Sequence, residues 1–165
     1  MWTYTDRNAW DTISPHDCRA DTVTFDGKDL FLDFPDGFRL IPASPHNQRD
    51  AVVKTGPARL CFRGVYAEDP FDAIDLYKTT YLFRKPLLCR RLQPSHTDFL
   101  KLFRGGRFEL EFITEYHSQF GASVSSLYKC WLWKKNSGLH GECQLEILAK
   151  SVEYRWNEIR YERTW

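Results

Sequence analysis

Two histidines stand two residues from a carboxylate: Glu115 with His117, and His140 with Glu142. On a strand, side chains at i and i+2 share a face, so each pair offers a nitrogen and an oxygen suited to a zinc or iron ion. Strand geometry keeps the two pairs apart. If the Phe108, Leu127 and Cys143 segments form a meander, His117 closes the first strand and His140 lies in the turn after the second, on the order of 20 Å away. The spacing therefore predicts two surface histidines beside carboxylates and no metal site.

Nucleophiles fare no better. Ser118 and the Ser123, Ser125, Ser126 cluster lie near His117, but no Gly-x-Ser-x-Gly elbow leads into a helix. Cys130 sits between Lys129 and Trp131 on a predicted strand, where a thiolate has neither a helix N-terminus nor a held cation to stabilise it. There is no Walker loop and no Gly-x-Gly-x-x-Gly, and Gly105-Gly106 follows a helical segment instead of opening one. These residues assign no catalytic role and no cofactor, so a non-enzyme is expected, with an unrecognised hydrolase as the second alternative.

Binding signals are of two kinds. Trp131 and Trp133 share one strand face while Tyr128, Cys130 and Leu132 share the other, so this strand is either covered on both sides or lines a pocket. With Tyr154 and Trp156 they are the residues that would line an aromatic, apolar ligand site. The second signal is charge. From Tyr77 to Arg107 eight basic residues face a single acidic one, Asp98, whereas the whole chain carries only +1. Arg84, Arg90, Arg91, Lys101 and Arg104 are the candidates for docking an acidic protein partner. Nucleic acid is disfavoured: the global charge is balanced and no RNP pattern is present.

At 165 residues the chain can bury most of the surface its unfolded form exposes, and a single domain over 1–165 is expected. Five widely spaced cysteines without a Cys-x-x-Cys pair predict reduced thiols and a cytoplasmic location. The first residues lack an apolar signal core, and no segment is long and apolar enough to cross a bilayer.

The elements that must position these residues are mostly strands. Arg107–Tyr116 alternates, with Phe108, Leu110, Phe112 and Tyr116 predicted on the apolar face and Glu109, Glu111 and Glu115 on the polar one. Asp26-Gly27 and Asp36-Gly37 predict two turns joining three short strands into a meander. Residues 42–57, rich in Pro, His and Asn, predict a mobile loop, and Pro86 marks a break or an edge position. One helix is expected at Ser95–Gly105, capped by Ser95 and striped by Phe99, Leu100 and Phe103. From Cys143 to Ala149 and from Val152 to Trp156 the apolar residues change parity, which predicts a bulge or sharp bend at Lys150-Ser151. The fold class that follows is mainly β and antiparallel, a strongly curled sheet or partly open barrel with one short helix.

The runs Leu30–Phe38 and Val152–Ile159 resemble segments of small, β-rich bacterial proteins of unknown function, some of which act as cytoplasmic immunity partners of polymorphic toxins. The resemblance lies in strand and turn residues and implies no catalytic residue. Non-enzymatic protein binding, possible in the form of toxin immunity, is the leading expectation, and a small apolar ligand held inside the curl is the alternative. The oligomeric state is not written in these patterns.

Overall fold

The computed structural model describes residues 1–83, 85–138 and 140–161. Alternating sequence becomes antiparallel pairing throughout. In chain order the strands are β1 (Tyr4–Arg7), β2 (Ile13–Ser14), β3 (Arg19–Ala20), β4 (Thr22–Phe25), β5 (Leu30–Phe34), β6 (Arg39–Leu40), β7 (Val53–Thr55) and β8 (Ala58–Arg63). Then come β9 (Ala73–Leu82), β10 (Lys85–Leu92), helix α1 (His96–Phe103), β11 (Phe108–Phe120), β12 (Ser123–Lys134), β13 (His140–Ala149), β14 (Ser151–Trp156) and β15 (Ile159–Arg160). They form a five-stranded sheet ordered β1-β14-β8-β5-β4, a six-stranded sheet ordered β10-β9-β13-β12-β11-β3, and a small sheet ordered β15-β7-β6-β2.

The two larger sheets face each other across the core. Leu30, Leu32, Phe34, Leu60, Phe62, Val152, Tyr154 and Trp156 come from one, and Leu110, Phe112, Val124, Tyr128, Cys143, Leu145 and Ile147 from the other. Rings meet across the gap, Phe34 with Phe112 at 5.3 Å and Phe62 with Tyr128 at 5.9 Å between centroids. Phe38 of the small sheet's approach packs on both Phe34 and Tyr154. The helix is built as its sequence predicts: Ser95 Oγ accepts from the Asp98 N–H at 3.2 Å, and Phe99 and Phe103 are buried. It rests on β4 and β11, one strand from each large sheet.

The parity change at Lys150 marks the point where the chain passes from one large sheet to the other. β13 pairs with β12 and β9, whereas β14 pairs with β8 and β1, and the Lys150 N–H at the corner donates to Arg63 O. Gly64 opposite has φ +62°, and a Cβ there would press on the Lys150 side chain.

Two expectations are corrected. The Asp36-Gly37 turn does not complete a meander: it sends β6 into the small sheet, and the second neighbour of β5 is β8. Gly37, at φ +77°, lies against Thr55 and Gly56, and the Phe38 N–H donates to the Thr55 hydroxyl, which holds the chain leaving the turn beside β7. Residues 42–57 are not an open loop. Asn47 Nδ2 faces the carbonyls of Leu40, Ile41 and Ala51, and Val53–Thr55 is strand β7. The fold is mainly β and antiparallel as expected, and among the described residues each sheet order ends in strands that do not pair with one another. The N-terminal arm is tied down, with β1 as the edge of the five-stranded sheet. Among the described residues no helix is long and apolar enough to cross a membrane.

Candidate functional site

A bulge in β11 decides the fate of the first histidine pair. Phe112 opposes Cys130 and Thr114 opposes Lys129, so Ile113 is an extra residue, and every side chain after it changes face. Tyr116, expected inside, is exposed, while Glu115 and His117 point inward. Contrary to expectation, His117 is no surface residue: its side chain is 3% exposed. Its ring stacks on Trp10 at 4.9 Å and meets Tyr128 edge-on at 5.5 Å. Nε2 lies 3.2 Å from Glu115 Oε2 and Nδ1 lies 2.9 Å from Ser126 Oγ. A carboxylate only accepts, so Nε2 carries the proton and Nδ1 accepts from the Ser126 hydroxyl. Ser14 donates to the other Glu115 oxygen at 2.7 Å.

Ser126, His117 and Glu115 thus stand in the order of a nucleophile, base and orienting acid, a link that sequence proximity did not reveal. The alignment is sealed. Ser126 is fully buried and Trp10 covers the imidazole, so Oγ presents no surface to a substrate. What the arrangement does do is pin the N-terminal arm to the large sheet through Trp10 and Ser14.

The second pair is open. His140 and Glu142 lie on the solvent side of β13, where His140 sits 4.9 Å from the Trp131 ring and 4.3 Å from that of Trp133. Trp133 donates to Glu111 at 2.5 Å and lies under the Arg19 guanidinium. Tyr77, Thr114, Lys129, Trp131, Glu142 and Gln144 border a shallow groove of about 380 Å³ on this face. The four aromatic candidates are therefore divided. Trp131 and Trp133 are half-buried on the outer face, whereas Tyr154 and Trp156 are fully buried between the sheets. The two histidine pairs stand at opposite ends and on opposite faces, since His117 pairs with Ser126 and His140 with Trp133, seven residues along β12.

The basic band spreads over two elements. Arg90 and Arg91 are exposed on β10, Lys101 and Arg104 lie exposed on and just after α1, and Arg84 falls outside the described residues. Their commitments differ. Arg91 makes a bidentate contact with Asp75, 2.6 and 2.7 Å, and this guanidinium holds the buried Asp75 carboxyl below its ordinary range despite burial. Lys101 pairs with Asp98 on the helix surface at 2.9 Å.

The β9–β10 hairpin that carries Arg90 and Arg91 is unlike the rest of the surface. β13 pairs with β9 only over residues 73–77, so Lys78–Leu82 and their partners on β10 run on alone. At strand rise that is about 17 Å of two-stranded arm. Leu82, Phe83, Leu87, Leu88 and Leu92 are all exposed, Phe83 at 91%, and together they are half of the ten exposed large apolar side chains among the described residues. Phe83 at the tip has φ +48°, a conformation that costs a bulky L-residue on the order of 1 kcal/mol. No acidic residue occurs from Tyr77 to Gln93. The sequence signal was present in Leu-Leu-Cys-Arg-Arg-Leu, where apolar residues fall on both parities at an edge strand.

All five cysteines are free, and Cys89 on β10 is the exposed one. Burial pushes the thiols of Cys18 and Cys61 up to about 11 and raises those of Cys130 and Cys143 further.

Comparison with protein-family models, curated proteins and solved structures gives no match.

Proposed function

We propose that this chain is a non-enzymatic protein-binding domain and that the β9–β10 hairpin is its docking element. The observation that carries the reading is the exposure of Leu82, Phe83, Leu87 and Leu88 on one projecting arm, with Leu92 exposed at its base. A lone two-stranded hairpin is marginal in water, and soluble monomers rarely leave apolar groups contiguous and uncovered. The strained Phe83 tip points the same way, since local strain is concentrated where a segment is used. Arg90, free of the Asp75 pair, supplies the charge that draws in an acidic partner, while Lys101 and Arg104 lie further along the chain on α1. Toxin immunity is the specific form suggested by the resemblance of Leu30–Phe38 and Val152–Ile159, in a cytoplasmic setting.

The alternative of an apolar ligand inside a curled sheet draws less support. Bulges at Phe112/Thr114 and Pro86/Leu88 favour curl in the large sheet, but Phe34, Tyr128, Tyr154 and Trp156 fill the space behind it. The hydrolase reading rests on the Ser126–His117–Glu115 alignment, whose hydroxyl is enclosed.

The test is recovery of the partner by the tagged chain from its own cells. The wild type should bring down one protein in stoichiometric amount, and F83S/L87S/L88S should bring down none while melting within a few degrees of the wild type. If immunity is the form, co-expression should relieve the growth arrest caused by a toxin encoded beside this chain, and the triple variant should not. A triple variant that keeps the partner would remove the hairpin from the interface.

A further inference from the structure

From the free edge of β10, we infer that the partner contributes an extended, acidic segment that adds to the large sheet as a seventh strand. The inference rests on the hairpin reading and names what the hairpin holds. β10 ends the six-stranded order and pairs on one side only, with β9. Alternate N–H and C=O groups on its other side face water, which is a template for a further strand unless something blocks it. Residues 87–92 are all exposed, and the helix rests instead on β4 and β11. Pro86 and the irregularity between Pro86 and Leu88 spoil the tip end, leaving Leu88–Leu92 as the regular part of the ladder.

Side chains on both faces of that stretch fit such a strand. Leu88, Arg90 and Leu92 share one parity, and Leu87, Cys89 and Arg91 lie on the other side; all six are exposed. An incoming strand whose one face reads apolar, acidic, apolar at every second residue would lay apolar groups against Leu88 and Leu92 and a carboxylate beside Arg90. Backbone pairing supplies affinity in this mode and the flanking side chains supply selectivity. A second copy of this chain is the wrong occupant. Two β10 edges would bring Lys85, Arg90 and Arg91 of each together with no acid between Tyr77 and Gln93 to offset them, and like charges across strands repel.

The experiment uses the full chain and three ten-residue probes: a Val-Thr-Glu-Thr repeat, in which Val and Glu alternate along one face (the Val/Glu peptide), its Val-Thr-Lys-Thr counterpart (the Val/Lys peptide), and a Val/Glu peptide N-methylated at alternate residues so that one edge cannot pair. The Val/Glu peptide should bind at least about tenfold more tightly than either control and slow amide exchange at Leu88–Leu92, and R90E should reverse the preference toward Val/Lys. Equal binding of the methylated and unmethylated acidic peptides would overturn strand addition and leave docking by the hairpin side chains standing. Absence of binding, or concentration-dependent self-association that protects β10, would likewise overturn it. Hairpin docking itself is tested separately by the triple-variant recovery, so the two failures are distinguishable.

Discussion

Glu115-x-His117 and His140-x-Glu142 are one motif written in two directions, and they end in opposite environments. The first is buried, with both ring nitrogens engaged and Trp10 stacked over it. The second lies in the open beside Trp131 and Trp133. What separates them is a single extra residue, Ile113, which turns the end of β11 inward, together with an arm long enough to cover the result. Chemical potential in a His–carboxylate pair is thus set by parity and cover. The same contrast holds for the large sheet as a whole: its inner face and β11 end are closed over by packing, and its β9–β10 end is left uncovered.

Breaking the closed pair should have the largest effect. H117A removes the stack on Trp10, leaves the Ser126 hydroxyl without its imidazole partner and the Glu115 carboxylate with Ser14 alone, a loss of about 3 kcal/mol. For a chain of this size the thermal midpoint should drop by about 9 °C. A drop under about 2 °C in calorimetry would show that the cluster is not holding the arm.

An intermediate case sharpens the comparison. Asp75 is buried but its partner Arg91 is on the surface. R91E, which sets a carboxylate against Asp75, should lower the midpoint by about 5 °C, whereas R90E should move it by less than about 2 °C. A pair of equal shifts would mean that the band is uniform. The same pair bears on acid stability. Arg91 lowers the Asp75 carboxyl, and for Asp29 burial is outweighed by the Gly64 N–H and Arg63. Both carboxyls are lowered in the folded chain, so their contribution is present above the ordinary aspartate value of 3.8 and is lost as pH falls through the lower folded values. The midpoint should therefore fall as pH drops below about 4, and less steeply in D75N than in the wild type.

The smallest effects belong to the open pair. H140A and E142A should each change stability by less than about 0.5 kcal/mol, measured by urea unfolding. A loss above about 1.5 kcal/mol would place the outer face among the structural elements, erasing the contrast.

Much of this was legible in the residues. Ser95 and the Phe99/Phe103 stripe wrote the helix, and the parity change at Lys150 wrote the bend there, though not that the chain changes sheets at that point. Other features were legible only locally. Asp36-Gly37 specifies a reversal but not the partner of the strand that follows, which depends on Thr55 far along the chain. The bulge at Ile113 left a faint trace, the adjacent apolar pair Phe112-Ile113 inside an alternating run, yet the strand reads as regular when that pair is overlooked. Arg91 looked like its neighbour Arg90. Only the register of β10 on β9, with Arg91 opposite Tyr77, sets it diagonally beside Asp75 and separates a structural cation from a free one.

The uncovered hairpin carries the central claim, and Cys89 provides a reporter on it. As the exposed thiol among five, it can be labelled in the folded protein with a maleimide photocrosslinker while the buried four stay unmodified. Irradiation of the labelled chain in the presence of the recovered partner should yield a single one-to-one adduct, mapped to an acidic segment. The adduct should be lost in F83S/L87S/L88S and unchanged in H140A. An adduct that forms equally well with the triple variant, or a bound partner that never crosslinks to Cys89, would contradict docking at this arm.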